Sequence, residues 1–190
     1  PYTQEIIFFF DQFAVHLIPA VLFEIKHGVR AMIDSIKDKS GDGYKAFAIA
    51  LECAVILANR YADMAAEQKK TASPERREQL EIMERTLRKV PEYGADDLYE
   101  AIQSFMIIWQ IMCLEQTPNP FAFAVGNADR IFEPYRNGLD RDTTAALLKH
   151  FLVFFNVADR SWAISQNIII SGRDIDGSDL TNPTTYALMD

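Results

Sequence analysis

Apolar positions recur at helical spacing from Pro19 as far as Pro118, then fall into short closed runs. From Pro19 to about Lys37, Val21, Leu22, Ile25, Val29, Met32 and Ile36 share one face, and Pro19 suits the first turn, where no N–H is required. The KSGDG stretch ends that helix. A longer one is expected from about Tyr44 to Lys70, with Phe47, Leu51, Ala54, Val55, Ala58, Tyr61, Ala62 and Ala65 at helical spacing; its alanines predict close packing between helices. Ser73 followed by Pro74 reads as a capping residue and first helical position, starting a helix that runs to about Lys89 and is stopped by Pro91. The next segment opens with acids, which favour a helix N-terminus, and turns apolar almost all round, so it predicts a central, buried helix ending near Pro118 and Pro120.

After those prolines, PFAFAVG and NIIISG are apolar runs closed by glycine, read as buried strands at about Phe121 to Val125 and Asn167 to Ser171. Helices near Arg130 to Asn137 and Thr143 to Val157 separate them. Strand, helical excursion and strand make a βαβ-like unit with parallel strands whose faces helices must cover. Two-residue alternation puts Phe121 and Phe123 on one face and Ala122 and Ala124 on the other; one pair can face an interior, and the small pair is the candidate. The class is α/β, mostly helical. Pro1 to Phe13 is too apolar for a free tail and is expected to pack.

The formal net charge of -8 changes the range of partners, because an acidic surface repels nucleic acid phosphates and no basic stripe offsets it. In ASPERREQLEIMERTLRK the basic residues alternate with acids, as on a solvated helix face. No apolar run is long enough to span a bilayer. Cys53 and Cys113 lie in apolar helical runs without metal-ligand spacing, so both are expected to be buried free thiols, as suits a reducing cytoplasm. The chain opens at Pro1 without Met and stops at Asp190 inside an apolar pattern, so both ends are expected to continue.

Five segments, in order, carry a family resemblance. HLIPAVLFEIKHG is similar to a His-x-x-Pro segment followed by a helix and glycine, and ALECAVILANRYADMA to an alanine-rich helix ending in Arg-Tyr-Ala. VPEYGADDLYEAIQSFMIIWQIMCLEQ is similar to a Val-Pro segment leading into an aromatic-rich helix. GNADRIFEPY resembles a Gly-Arg-x-Asp-Gln-x-x-x-Pro-Tyr turn, and QNIIISGRDIDGSDLTNPTTY a Gln-Asn segment with Gly-Gly-x-Asp-x-x-Gly-x-Asp-x-Thr-Asn. Together they resemble the glycyl radical enzymes, the pyruvate formate-lyase-like family, from about His16 onward. Three departures stand out: Asn127 for the usual arginine, Arg130 for glutamine, and Ser171 with Gly172 for Gly-Gly.

The resemblance implies outer helices plus the first strands of a ten-stranded α/β barrel, so residues 1–190 would be one partial domain, helical over about 14–117 and carrying barrel strands and connecting helices over about 118–190. It implies a parent that is an anaerobic cytoplasmic lyase or dehydratase acting on a small organic substrate. Its glycyl radical would be installed by an activating enzyme that uses S-adenosylmethionine and an iron–sulfur cluster, and a homodimer is expected. The family's Arg-Val-x-Gly-Tyr type loop is absent from the sequence, and both cysteines precede the first strand, where the family has no catalytic thiol. The chain is therefore expected to hold no catalytic residue, bind no cofactor or metal, and depend on the remainder of its parent. The alternative is a non-catalytic helical scaffold or partner-binding module derived from the family.

Six residues are candidates for substrate contact. His16 matches a cavity-bordering His of some dehydratase-type members, and the other reading is a hydrogen-bonded His at a helix entry. Phe121, Ala122 and Phe123 line the first strand. Gln166 and Asn167 open the second, as pocket contacts or as loop anchors. The acidic loop Asp174, Asp176, Gly177, Asp179 lacks the glycine position and closing Glu of a calcium loop, and reads as a turn capped by its own aspartates. No nucleotide-binding glycine pattern or hydrolase motif occurs.

Overall fold

The computed structural model describes residues 18–116, 124–157 and 167–190. The apolar segment Pro1 to Phe13, His16, Phe121, Ala122, Phe123 and Gln166 lie outside them. The described residues fall into two compact units. One comprises Leu22–Asp96 with Gln103–Ile108; the other comprises Asp97–Ile102, the described residues of Trp109–Asp190, and those up to Val21.

In the first unit, α1 (Val21–Ile36) is broken at Gly28, which takes φ 79° and ψ 165°. The loop of residues 91–95 fills the break. Val29 N and Arg30 N donate to the carbonyls of Pro91 (2.8 Å) and Glu92 (2.9 Å), and Ala95 N donates to Ile25 O (2.8 Å), so backbone groups freed by the break are satisfied by another stretch of backbone. Two glycines permit this approach. A Cβ on Gly28 would overlap the Glu92 carbonyl and stand 2.5 Å from Tyr93 Cα, and one on Gly94 would overlap the Lys26 carbonyl. Arg30 ties the join down with Glu92 (2.7 Å) and Glu52 (3.0 Å).

The helices α2 (Asp42–Lys69) and α3 (Pro74–Lys89) form an antiparallel pair. Lys69 meets Glu84 at 2.6 Å, and Arg88 reaches Asn59 (3.1 Å) and Asp63 (2.5 Å). Ala54, Val55, Ala58, Ala62 and Ala65 of α2 are buried, as the alanine pattern predicts. Ser73 caps α3 by accepting from Arg76 N (3.3 Å), and Pro74 is its first residue. The α2 pattern is corrected at its start. Phe47 is 64% exposed and Cys53 is also exposed, because a 16-residue α3 whose Arg88 reaches back to Asn59 does not cover the earlier turns of the 28-residue α2; Tyr61, within the paired stretch, is exposed at the edge of the buried face. In α1 the buried stripe is Val21, Ile25 and Val29, and Leu22 falls off its edge into solvent.

The fourth helix, α4 (Leu98–Gln116), contributes to both units. Leu98, Ala101, Phe105 and Trp109 are buried and no residue from 101 to 113 is exposed, in keeping with its all-round apolar sequence.

In the second unit, β1 (Gly126–Asn127) leads into α5 (Ala128–Phe132) and a 3-10 turn (Glu133–Tyr135). Then come α6 (Arg141–Val157), β2 (Ile168–Ile169) and α7 (Pro183–Met189). The strands pair in parallel, Gly126 with Ile168 and Asn127 with Ile169. The parallel βαβ connection is thus present, but its described ladder is two residues long and starts after Ala124 and Val125, which are buried. Ser171 ends the second strand by turning to φ 61°. Aromatics bind α6 to α4 and α5, Trp109 to Phe155 (5.1 Å) and Phe132 to Phe151 (5.2 Å, edge-on), and within α6 Phe151 stacks on Phe155 (5.2 Å).

Candidate functional site

Of the six candidate contact residues, Asn167 alone is among the described ones; it is exposed and immediately precedes β2. The structure concentrates polar contacts instead where both strands end. Asp129, on the first turn of α5, is completely buried. Its Oδ1 accepts from Arg130 N (2.8 Å), and its Oδ2 accepts from Ser171 N and from Thr185 Oγ1, each at 2.6 Å. Three donors replace the water a carboxylate loses on burial.

Glu133 repeats the device one turn on. Its Oε2 accepts from Thr184 N (2.9 Å) and Thr184 Oγ1 (2.6 Å), while Oε1 accepts from Arg136 Nε (3.3 Å). Thr184 and Thr185 are presented by a capping box, in which Asn182 accepts from Thr185 N (3.0 Å) and Thr185 Oγ1 accepts from Asn182 N (3.0 Å). Two carboxylates after β1 therefore grip the N-terminus of α7 and the turn after β2, where a negative charge is favoured.

Two of the three departures from the family pattern, Arg130 and Ser171 with Gly172, meet in this cluster. Arg130 Nη2 donates to Ser171 O (2.9 Å) and lies 3.2 Å from where Gly172 would carry a Cβ, while Arg130 Nε is buried with no hydrogen-bond partner among the described residues. Ser171 has positive φ, the conformation that a glycine in the usual Gly-Gly pair adopts without steric cost. Its hydroxyl is 2.9 Å from Thr181 Oγ1, a local bond that offsets part of the strain.

The acidic loop behaves as its pattern predicts. Asp174 accepts from Ile175 N (2.7 Å), Asp176 from Ser178 N (2.9 Å), and Asp179 from Thr181 N (2.9 Å) and Thr181 Oγ1 (2.7 Å). These bonds hold the carboxyls of Asp176 and Asp179 below the usual range. Among the described residues no group of three potential ligands gathers for a metal ion, and no helix is long and apolar enough to cross a membrane.

The cysteines occupy separate helices in different settings. Cys113 is buried in α4, and burial pushes its thiol up to about 12; Cys53 is exposed on α2, against the expectation of burial. The arrangement around Asp129 fixes loops: its acceptors are already engaged by protein donors.

Two residues of interest were not singled out by pattern. Asp129 sits inside a quoted turn segment, but its partners lie 42 and 56 residues away. Glu24 occupies a stripe position between Val21 and Ile25, where an acid contradicts the apolar face and is itself the signal.

The topology and this strand-end cluster define a piece of a glycyl radical enzyme fold. Solved structures similar to the chain include the glycerol-bound B12-independent glycerol dehydratase of Clostridium butyricum, at 22% identity and TM-score 0.83 over 94% of this chain and 26% of that one. A glycyl radical enzyme of Archaeoglobus fulgidus is similar at 21% identity and TM-score 0.78, over 99% of this chain and 29% of that one. Hydroxyproline dehydratase of Clostridioides difficile, with trans-4-hydroxy-L-proline bound, is similar at 24% identity and TM-score 0.76, over 91% and 26%. The chain spans about a quarter of the length of these proteins. The sequence profile described as pyruvate formate lyase-like matches residues 16–190, and the chain belongs to that family.

Proposed function

We propose that this chain is a structural portion of a glycyl radical dehydratase or lyase that acts on a small organic substrate, and that it is not catalytic alone. The observation that carries the reading is family membership over residues 16–190, combined with a sequence that lacks the glycyl motif. In this portion Asp129 and Glu133 hold the ends of two neighbouring strands, and the rest of the barrel, with the cysteine and glycyl loops, belongs to the remainder of the parent chain. A closed barrel matters to radical chemistry because water and side reactions must be excluded. The parent enzyme would be cytoplasmic, anaerobic and homodimeric. It would receive its radical from an activating enzyme that uses S-adenosylmethionine and an iron–sulfur cluster. Two similar structures, with glycerol and trans-4-hydroxy-L-proline bound, and a third concerned with 1,2-propanediol dehydration, favour a hydroxylated substrate. His16, Phe121, Ala122, Phe123, Gln166 and Asn167 remain the residues proposed to border its pocket.

The test is to read the encoding frame, express all of it anaerobically with an activating enzyme, and record the electron paramagnetic resonance spectrum beside turnover of glycerol, 1,2-propanediol and trans-4-hydroxy-L-proline. A glycyl doublet from the full frame and none from this chain is the expected result. A frame with no cysteine and glycyl loops would end the enzyme reading and leave the scaffold alternative.

A further inference from the structure

Glu24 is an acid in a core position. It is 4% exposed on α1, between Val21 (4%) and Ile25 (0%), and it meets Ser104, 0% exposed on α4. Ser104 Oγ donates to Glu24 Oε1 at 2.5 Å, and Glu24 Oε2 has no hydrogen-bond partner among the described residues. One hydroxyl leaves most of a carboxylate's lost hydration unreplaced, whereas a neutral carboxyl is far less costly in the same place.

Among the described residues, none supplies a compensating cation. On α1, Lys26 and His27 are exposed, and Arg30 is held by Glu52 of α2 and Glu92 of the loop after α3. In that loop Asp96 is paired with Lys89. On α4, Glu100, one turn before Ser104, is partly exposed. Burial is the main cause that raises the Glu24 carboxyl from 4.5 to about 7, and the Ser104 bond opposes it.

The position of Glu24 gives its charge mechanical consequence. Four residues later the ladder of α1 breaks at Gly28, so residues 22–27 form a short helical arm cut off from the remainder of the helix. Within the same unit, the bond from Ala95 N to Ile25 O and the Glu24–Ser104 contact hold that arm.

We propose that Glu24 is a proton-operated latch between the first arm of α1 and residues 103–108 of α4, where it meets Ser104: the neutral, buried carboxyl leaves the arm seated, and loss of its proton places in the core a charge that the single Ser104 bond does not offset and so loosens the arm. The folded chain binds this proton more tightly than the unfolded chain, whose Glu24 titrates near 4.5. The stabilising contribution is therefore complete below that value and is lost as pH rises through about 7.

The test is chemical unfolding of the chain and of E24Q across pH, with amide hydrogen exchange over residues 22–27 corrected for intrinsic chemistry. The unfolding constant of the natural chain, divided by that of E24Q, should rise roughly 30-fold between about pH 5.5 and about pH 8. Exchange at residues 22–27 should accelerate over the same range in the natural chain only. S104A should move the titration midpoint upward, because it removes the bond that favours the charged form. If E24Q does not fold, the carboxylic acid carbonyl band of the natural chain, followed by infrared with labelled glutamate, still reports the midpoint. A Glu24 midpoint in the ordinary carboxylate range, or exchange at 22–27 indifferent to pH, overturns the latch.

Discussion

The break in α1 and the grip on α7 hold loops by opposite means. At Gly28 and Gly94 two stretches of backbone interlock, and what makes the join is the absence of side chains. At Asp129 and Glu133 side chains make it, with carboxylates that collect backbone and hydroxyl donors from a distant loop. The first device is steric and depends on pH only through its neighbours; the second is polar, and its cost of failure is a set of buried donors left without an acceptor. Close backbone contact cannot be made gradually, whereas a carboxylate cluster can lose one bond and keep the others.

The largest effect should come from breaking the steric join. In G28A the new Cβ meets the Glu92 carbonyl and Tyr93 Cα while the residue is held at φ 79°, so the loop must move and its bonds to Val29 and Arg30 are lost. A loss of about 3–4 kcal/mol in chemical denaturation is expected. G28A within about 1 kcal/mol of the natural chain would show that the break is not a tight join.

Removing the centre of the polar join should cost less. D129A leaves Arg130 N, Ser171 N and Thr185 Oγ1 without their acceptor, for an expected loss of about 2–3 kcal/mol. D129N keeps the shape and one oxygen as acceptor, and should recover part of the loss. Hydrogen exchange at Ser171 and around Thr185 checks the assignment, since both amides should lose protection in D129A while those of α3 stay as they were. Equal losses in both regions would mean that Asp129 supports the whole chain and does not act as a local clamp.

What could be read in advance followed the range of the forces involved. The start of α3 depends on Ser73 and Pro74 alone, a matter of one turn, and the pattern placed it at the observed residue. The burial of α2 depends on how far α3 reaches along it, which no periodicity encodes; hence Phe47 and Cys53 are exposed where the apolar run predicted cover. The parallel pairing was legible from strand, helix and strand, but not its short described ladder, because the turn at Ser171 depends on contacts with Thr181 and Arg130. The motif segments around Asp129 and Asn182 were visible as separate stretches. Their union required three dimensions.

The smallest expected effect bears most directly on the comparison. Ser171, like Gly28, has positive φ, but only Gly28 has backbone where a side chain would go. In S171G the strained conformation becomes free of steric cost, a gain of about 1 kcal/mol, while the contact with Thr181 Oγ1, of similar worth, is lost. The two should nearly cancel, leaving the unfolding midpoint almost unchanged. T181V then separates them: it removes the hydroxyl's bond to Asp179 in both backgrounds but its contact with Ser171 only in the natural chain, so it should cost about 1 kcal/mol more in the natural chain than in S171G. If T181V costs the same in both backgrounds, the hydroxyl pair does not support the turn, and Arg130 with Asp129 must hold Ser171 in its left-handed conformation unaided.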